Sequence, residues 1–236
     1  MKERPILFSG PMVRALLDGS KTQTRRIVKP AGAHHIFQFR GTEDARGADE
    51  PTGEWAWCRA EHVVSDHIRC PFGKPGDRLW VRETHEVNRI GFEEHGNGDT
   101  DYYAGVAYQA DDGRTQFSIS GAMYRKLDAT ESRGWAPSIH MPRWASRITL
   151  EVTGVRVERL QDVTEADAAA EGVESLRNEG EYWKDYLRST AQCDELVCLN
   201  ARDSFGTLWD SLNAARGFGW DANPWVWVVE FKRIEA

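Results

Sequence analysis

The chain has 236 residues, of which 40% are hydrophobic, and its formal net charge at pH 7 is −7. This length predicts one domain with large insertions, or at most two small domains, and it allows a substantial buried core. The acidic balance argues against a protein that coats long nucleic acid through counterion release, and no apolar run reaches the roughly 18 residues that a membrane helix requires.

The first residues and the cysteine content indicate the compartment. The N-terminal segment has no apolar stretch of signal-peptide length before its first turn residues. Four cysteines are too few for a disulfide scaffold in a chain of this size. We therefore expect a cytoplasmic protein that makes no contact with a membrane.

The N-terminal third contains one clear helix and one clear strand. Pro11 suits the first position of a helix, the apolar residues that follow share one helical face, and Gly19 is a natural stop. Residues 22–28 are rich in β-formers and predict a strand. Residues 31–69 are mixed in composition with weak periodicity, which predicts an insertion that runs over the surface.

The middle of the chain predicts several strands. Residues 78–83 and 148–157 alternate between apolar and polar side chains, as half-buried strands do. Residues 102–108 and 115–119 form a predicted strand pair around the turn residues 111–113. Residues 135–144 are a loop broken by proline.

The C-terminal third predicts three helices and a last strand. Thr164 begins a short helix that ends near Gly172, with an acidic residue three positions after the hydroxyl. Residues 182–190 and 201–214 predict further helices, the second with one apolar face, and residues 225–234 predict a strand. That face comprises Phe205, Leu208, Trp209 and Leu212. Short strands flanked by a few helices indicate an α+β fold built on a small mixed barrel.

The basic run at residues 19–26 contains the strongest candidate for chemistry. A threonine hydroxyl such as that of Thr24 needs a base before it can act as a nucleophile. Lys21 can serve as that base if burial, or the neighbouring Arg25 and Arg26, favours its neutral form. The alternative is a solvated basic edge in which Thr24 is an ordinary strand residue. Spacing alone does not decide between Glu171, Glu165 and Glu174 as an acidic partner.

Other clusters allow weaker interpretations. Cysteine and histidine side chains at residues 58–70 could hold zinc, but their spacing is not that of a standard finger, so we expect no metal. These are Cys58, His62, His67 and Cys70. His140, Arg143 and Trp144 could line a pocket, and Trp80 could stack on a base. Glu83 could meet a base edge or simply pair with an arginine.

The sequence lacks two groups of motif, those that bind phosphate-containing cofactors and those of common hydrolase sites. The sequence contains no dinucleotide-binding glycine loop and no Walker phosphate loop, and so predicts no cofactor. It also contains no nucleophile elbow and no His-Glu-x-x-His metal helix.

The chain resembles the ASCH family, a branch of the PUA-like proteins, in its longer form often found in phages and prophages. Gly19, Lys21, Thr24 and Arg26 match the family signature Gly-x-Lys-x-x-(Thr/Glu)-x-Arg. The resemblance extends to residues 75–83, 141–148, 164–172 and 223–228.

The resemblance implies a PUA-like β-barrel with flanking helices in a single domain, interrupted by insertions at about residues 31–69 and 173–222. Small bacterial members are amidohydrolases that deacetylate N4-acetylcytidine with a lysine, a threonine and a glutamate. These positions correspond to Lys21, Thr24 and Glu171, with Arg25 and Arg26 beside the substrate. The implied partner is a nucleoside or a short single-stranded RNA. Two alternatives stay open: a module that binds a modified base without cleaving it, and a ribonuclease.

Overall fold

The computed structural model describes residues 1–29, 35–40, 51–59, 62–63, 68–130, 134–177, 182–188 and 197–234. The strands are β1 (Glu3–Leu7), β2 (Gln23–Ile27), β3 (His35–Arg40), β4 (Pro51–Arg59), β5 (His62–Val63), β6 (Arg78–Arg82), β7 (His85–Glu94), β8 (Thr100–Tyr108), β9 (Arg114–Ile119), β10 (Thr149–Arg159), β11 (Ser175–Arg177), β12 (Tyr182–Lys184), β13 (Val197–Cys198) and β14 (Trp225–Ile234). The helices are α1 (Gly10–Leu17), α2 (Gly121–Asp128), α3 (Glu165–Ala170) and α4 (Ala201–Asn213). The fold is mixed α+β, and the sheets of the described residues do not close into a barrel.

The chain divides into two compact units. The first comprises Met1–Lys2, Gly19–Asp77 and Glu151–Lys232, and the second comprises Glu3–Asp18, Arg78–Leu150 and Arg233–Ala236. None of the described helices is long and apolar enough to cross a membrane.

The first unit is organised by β14, which lies between β10 and β2. β14 runs antiparallel to β2, with Val229 opposite Thr24. Val226, Val228 and Val229 are fully buried, so a run of β-branched residues forms the centre of this core. This arrangement confirms the predicted strands at residues 22–28 and 225–234.

Two small sheets and two helices complete the first unit. The sheets are β3–β4–β5 and β11–β12–β13. Trp55 on β4 is buried and meets Trp227 of β14 edge to face at 4.7 Å between ring centres. Asn200 caps α4 by accepting a hydrogen bond from the backbone N–H of Asp203 at 2.7 Å, and α4 lies against α3.

Three predictions for this unit are wrong. The region 31–69 is not only a surface segment, because it supplies β3, β4 and β5 and the buried Trp55. The predicted helix at 182–190 begins as strand β12, since non-local pairing with β11 and β13 prevails over local helical spacing. Leu212 is 58% exposed, although Phe205 and Trp209 of the same helix are buried as predicted.

The second unit combines a parallel strand pair with a meander. β1 and β6 run parallel, and the alternating burial of Leu79 and Val81 confirms the predicted half-buried strand. β7, β8 and β9 form an antiparallel sheet that contains the predicted pair around residues 111–113. The sequence did not predict β7 or α2. The core of this sheet holds Val106, Tyr108, Met141 and Ala145.

Candidate functional site

Lys21 lies at the junction where the chain enters β2, beside the end of α3. The backbone N–H of Thr22 donates to the carbonyl oxygen of Ala170 at 2.9 Å, and that of Phe231 donates to the carbonyl of Thr22 at 2.9 Å. Lys21 therefore precedes the strand, and the strand alternation that would separate it from Thr24 does not apply to it.

The Lys21 amine meets Glu171 at two oxygens. Its Nζ donates to the Glu171 carbonyl oxygen at 2.6 Å and to the carboxylate Oε2 at 3.1 Å. The two residues are only 4% and 3% exposed. The structure thus brings together a buried amine and a buried acid that lie 150 positions apart in sequence.

Helix α3 determines where Glu171 lies. Thr164 begins the helix by accepting a hydrogen bond from the backbone N–H of Asp167 at 3.1 Å, and Gly172 ends it with a φ of +79°. A carboxylate at a helix C-terminus is disfavoured by the helix dipole. Lys21 offsets this, because its amine donates to the last carbonyl as well as to the carboxylate.

Arg25 holds the other side of the Glu171 carboxylate. Its Nη1 donates to Oε1 of Glu171 at 3.1 Å, and its Nη2 lies 2.5 Å from Glu158 and 3.4 Å from Asp167. The Arg25 side chain is fully buried. Gln23 lies on the same face of β2, two residues earlier, and also donates to Asp167.

Thr24 and Arg26 form a second pair on the opposite face of β2. Nη1 of Arg26 donates to Oγ1 of Thr24 at 2.6 Å, as expected for residues two positions apart in a strand. Thr24 is fully buried and Arg26 is half-buried. The hydroxyl oxygen is therefore fixed by a charged donor.

Burial and charge both act on the protonation of this cluster. Burial lowers the pKa of Lys21, the charges of Arg26 and Arg25 lower it further, and Glu171 opposes the change. Burial also lowers the pKa of Arg26, with Glu171 again acting against it. Glu171 thus acts on the pKa of both Lys21 and Arg26, and Arg26 acts on the pKa of Lys21. The Lys21–Glu171 pair and the Thr24–Arg26 pair are therefore coupled electrostatically.

The remaining predicted residues belong to the second unit. The guanidinium carbons of Arg82 and Arg143 lie 5.5 and 6.0 Å from the centre of the Trp80 ring. His140 is exposed, and Trp144 contacts Phe117 edge to face at 6.1 Å. Glu83 is buried.

Glu83 pairs with an arginine, which is the second of the two roles that its sequence context allowed. Its carboxylate accepts from Nε and Nη2 of Arg147 at 3.0 and 2.9 Å. Arg147 also pairs with Asp111 at 2.7 Å and lies 3.9 Å above the Tyr108 ring. Burial alone would lower the pKa of Arg147, but its bonds to Glu83 and Asp111 outweigh burial and raise it.

No group of three or more metal-binding side chains occurs among the described residues. Cys70 is buried, whereas His67 and the side chains of Cys58 and His62 lie outside the described residues. A hollow of about 500 Å³ lies on β7–β9, with Arg89 and Arg114 in its wall, and it includes none of the predicted site residues.

Sequence reasoning missed three residues that organise these sites. Glu158 and Asp167 fix Arg25, and Arg147 fixes Glu83. A signal for Glu158 was available, because Arg156 and Glu158 alternate with valines on a strand and so share one face. Their pairing at 3.0 Å follows from that spacing.

No protein-family model, no curated protein and no solved structure gives a significant match to this chain.

Proposed function

We propose that this chain is an amidohydrolase that removes an acyl group from a modified nucleobase, with N4-acetylcytidine as the reference substrate, on a PUA-like barrel of the ASCH type. The observation that carries the proposal is the buried contact of 3.1 Å between Lys21 Nζ and Glu171 Oε2. Thr24 lies three residues after this lysine and has a hydrogen-bonded hydroxyl.

In the proposed reaction Lys21 is the base. Burial and neighbouring cations favour its neutral amine, which a general base near neutral pH requires. Glu171 orients that amine through Oε2. Lys21 takes the proton of the Thr24 hydroxyl as its oxygen attacks the amide carbonyl carbon.

The rest of the cycle uses the same groups. Arg26 stabilises the negative charge that develops on the carbonyl oxygen. The carbon–nitrogen bond then breaks, and the leaving cytosine amine takes the proton from Lys21. Water, activated by Lys21, hydrolyses the threonine ester and releases the acid, so that the hydroxyl and the neutral amine are restored.

The test is incubation with N4-acetylcytidine and chromatographic detection of cytidine. We expect turnover by the wild-type protein and loss of it in Lys21→Met and Thr24→Val. Lys184→Met is the control, because Lys184 pairs with Glu174 at 3.0 Å on β12, a strand that supplies none of the proposed catalytic residues. Absence of turnover by the wild type, or equal turnover by Lys21→Met, contradicts the proposal.

A second candidate function is a module that holds a base without cleaving it. The arrangement of Arg82 and Arg143 around Trp80 favours it, since an aromatic ring beside guanidinium groups suits an anionic, base-bearing ligand. This function predicts saturable binding of a labelled cytidine oligonucleotide without product. We expect Trp80→Leu to weaken the binding. We expect Trp144→Leu, which changes a ring packed on Phe117, to leave it unchanged.

A further inference from the structure

We infer that Arg25, which is hydrogen-bonded to Glu158, is a positioning residue. It holds the Glu171 carboxylate against Lys21 and serves as the permanent counter-ion of that carboxylate. The inference deepens the proposed function and rests on it for the kinetic part of the test. It assigns a role to Glu158, a residue that no motif singled out.

The Glu171 carboxylate is shared between Arg25 and Lys21. Glu171 presents Oε1 to Arg25 at 3.1 Å and Oε2 to Lys21 at 3.1 Å. The two cations therefore bind different oxygens of the same group. A carboxylate fixed at one oxygen by a guanidinium has little freedom to rotate its other oxygen away from Lys21.

Contacts with other residues hold the Arg25 guanidinium in place. Its Nε and Nη2 both donate to Oε1 of Glu158, at 3.1 and 2.5 Å, and Asp167 lies 3.4 Å from Nη2. The Phe205 ring lies 5.7 Å from the guanidinium carbon. Three carboxylates and an aromatic ring thus determine where Arg25 points.

The permanent charge of Arg25 affects the protonation of Lys21. An arginine stays protonated in proteins, so the Glu171 carboxylate keeps a counter-ion whether or not Lys21 carries a proton. Lys21 can then lose its proton without leaving a buried, unpaired carboxylate. Charged groups that act on Lys21 are Glu171 at the end of α3, and Arg25 and Arg26 on β2.

Removing Arg25 should therefore make Lys21 harder to deprotonate. In Arg25→Gln, Lys21 becomes the main counter-ion of Glu171 and loses a repelling neighbour, so we expect its pKa to rise by about one pH unit. Arg25→Lys retains the charge and should restore much of the wild-type value. Because Arg25→Gln removes one cationic partner from each of three carboxylates, the double variant Arg25→Gln/Glu158→Gln is the second test and predicts the same direction.

Arg156→Gln is the matched control. Arg156 pairs with the same Glu158 and Asp167, at 3.0 and 3.3 Å, but is not among the charged groups that act on Lys21. It should destabilise the ion network without moving the Lys21 titration. A purely structural role for Arg25 predicts that the two arginine variants behave alike.

The experiment is NMR of protein labelled with ¹³C at the lysine Cε, titrated with pH, with the Lys21 signal assigned by its loss in Lys21→Arg. The inference requires a higher pKa in Arg25→Gln or the double variant and an unchanged pKa in Arg156→Gln. It is overturned if Lys21 titrates identically in all of these proteins, or if Arg156→Gln moves it equally.

The kinetic part uses the same variants. The rising limb of the pH–rate profile for cytidine release should move upward with the Lys21 pKa, so that activity at neutral pH falls about tenfold and recovers at higher pH. A pKa that moves while the profile stays fixed overturns the positioning role in catalysis. If the wild type shows no turnover, the proposed function fails, while the NMR result still decides whether Arg25 sets the charge of Lys21.

Discussion

Replacing Arg147 with methionine should destabilise the protein strongly, because it leaves the buried Glu83 carboxylate without the arginine that binds it. The Glu83 side chain is 2% exposed, and both of its oxygens are bound by Arg147. Breaking a buried pair by removing one partner costs about 3–5 kcal/mol. Asp111 adds less than about 1 kcal/mol, since its side chain is 30% exposed and regains water.

Urea denaturation and thermal unfolding measure this cost. For a chain of this size, about 3–5 kcal/mol corresponds to a fall in Tm of roughly 6–20 °C. The packing over Tyr108 contributes little to the loss, because a methionine thioether also packs well against a ring.

The pH dependence and a second substitution identify the cause. Burial raises the pKa of Glu83 and Arg147 opposes this, so without Arg147 the native state binds a proton that the unfolded state releases above its ordinary pKa. The penalty relative to wild type therefore grows as pH rises above the wild-type pKa of Glu83, which is itself raised above 4.5, and is smallest below that pKa. Adding Glu83→Leu to Arg147→Met should recover most of the loss. A single-variant cost below about 1 kcal/mol, or no recovery in the double variant, would refute the reasoning.

Three further predictions concern the first unit. Thr164→Ala removes the cap that accepts from Asp167 and should lower the free energy of unfolding by about 1 kcal/mol in urea denaturation, whereas Thr164→Ser should retain most of it. Because burial lowers the pKa of Lys21, the native protein binds fewer protons than the unfolded chain between that pKa and 10.5. Stability should rise with pH across this window, and Lys21→Met should flatten the rise; an unchanged slope would contradict the direction. Thr24→Val removes the hydroxyl that accepts from Arg26 and should abolish cytidine release while circular dichroism stays native.

Local pattern predicted the elements that carry a strong signal in their own residues. The cap at Thr164 and the stop at Gly172 define α3, and the alternation in residues 148–157 marks β10. The predicted helix at 182–190 failed because β12 depends on pairing with residues 175–177 and 197–198, which the side-chain spacing within 182–190 does not indicate. The sheet formed by β3, β4 and β5 was missed for the same reason.

In the candidate site, the contact within one strand could be predicted from the sequence pattern, and the contact between distant segments could not. The contact between Thr24 and Arg26 follows from strand alternation, which was available in sequence. The contact between Lys21 and Glu171 joins residues 150 positions apart, so periodicity could not distinguish Glu171 from Glu165 or Glu174. Only resemblance to a family indicated that glutamate, and the fold places its carboxylate beside the lysine.

The central claim is that the buried Lys21–Glu171 pair activates the hydroxyl of Thr24 against an amide. Rapid quenching of the protein with N4-acetylcytidine, followed by mass spectrometry of the peptide that contains Thr24, tests this claim most directly. We expect one acetyl group on Thr24 in the wild type and none in Lys21→Met. Release of cytidine at equal rates by both proteins, or by neither, would contradict it.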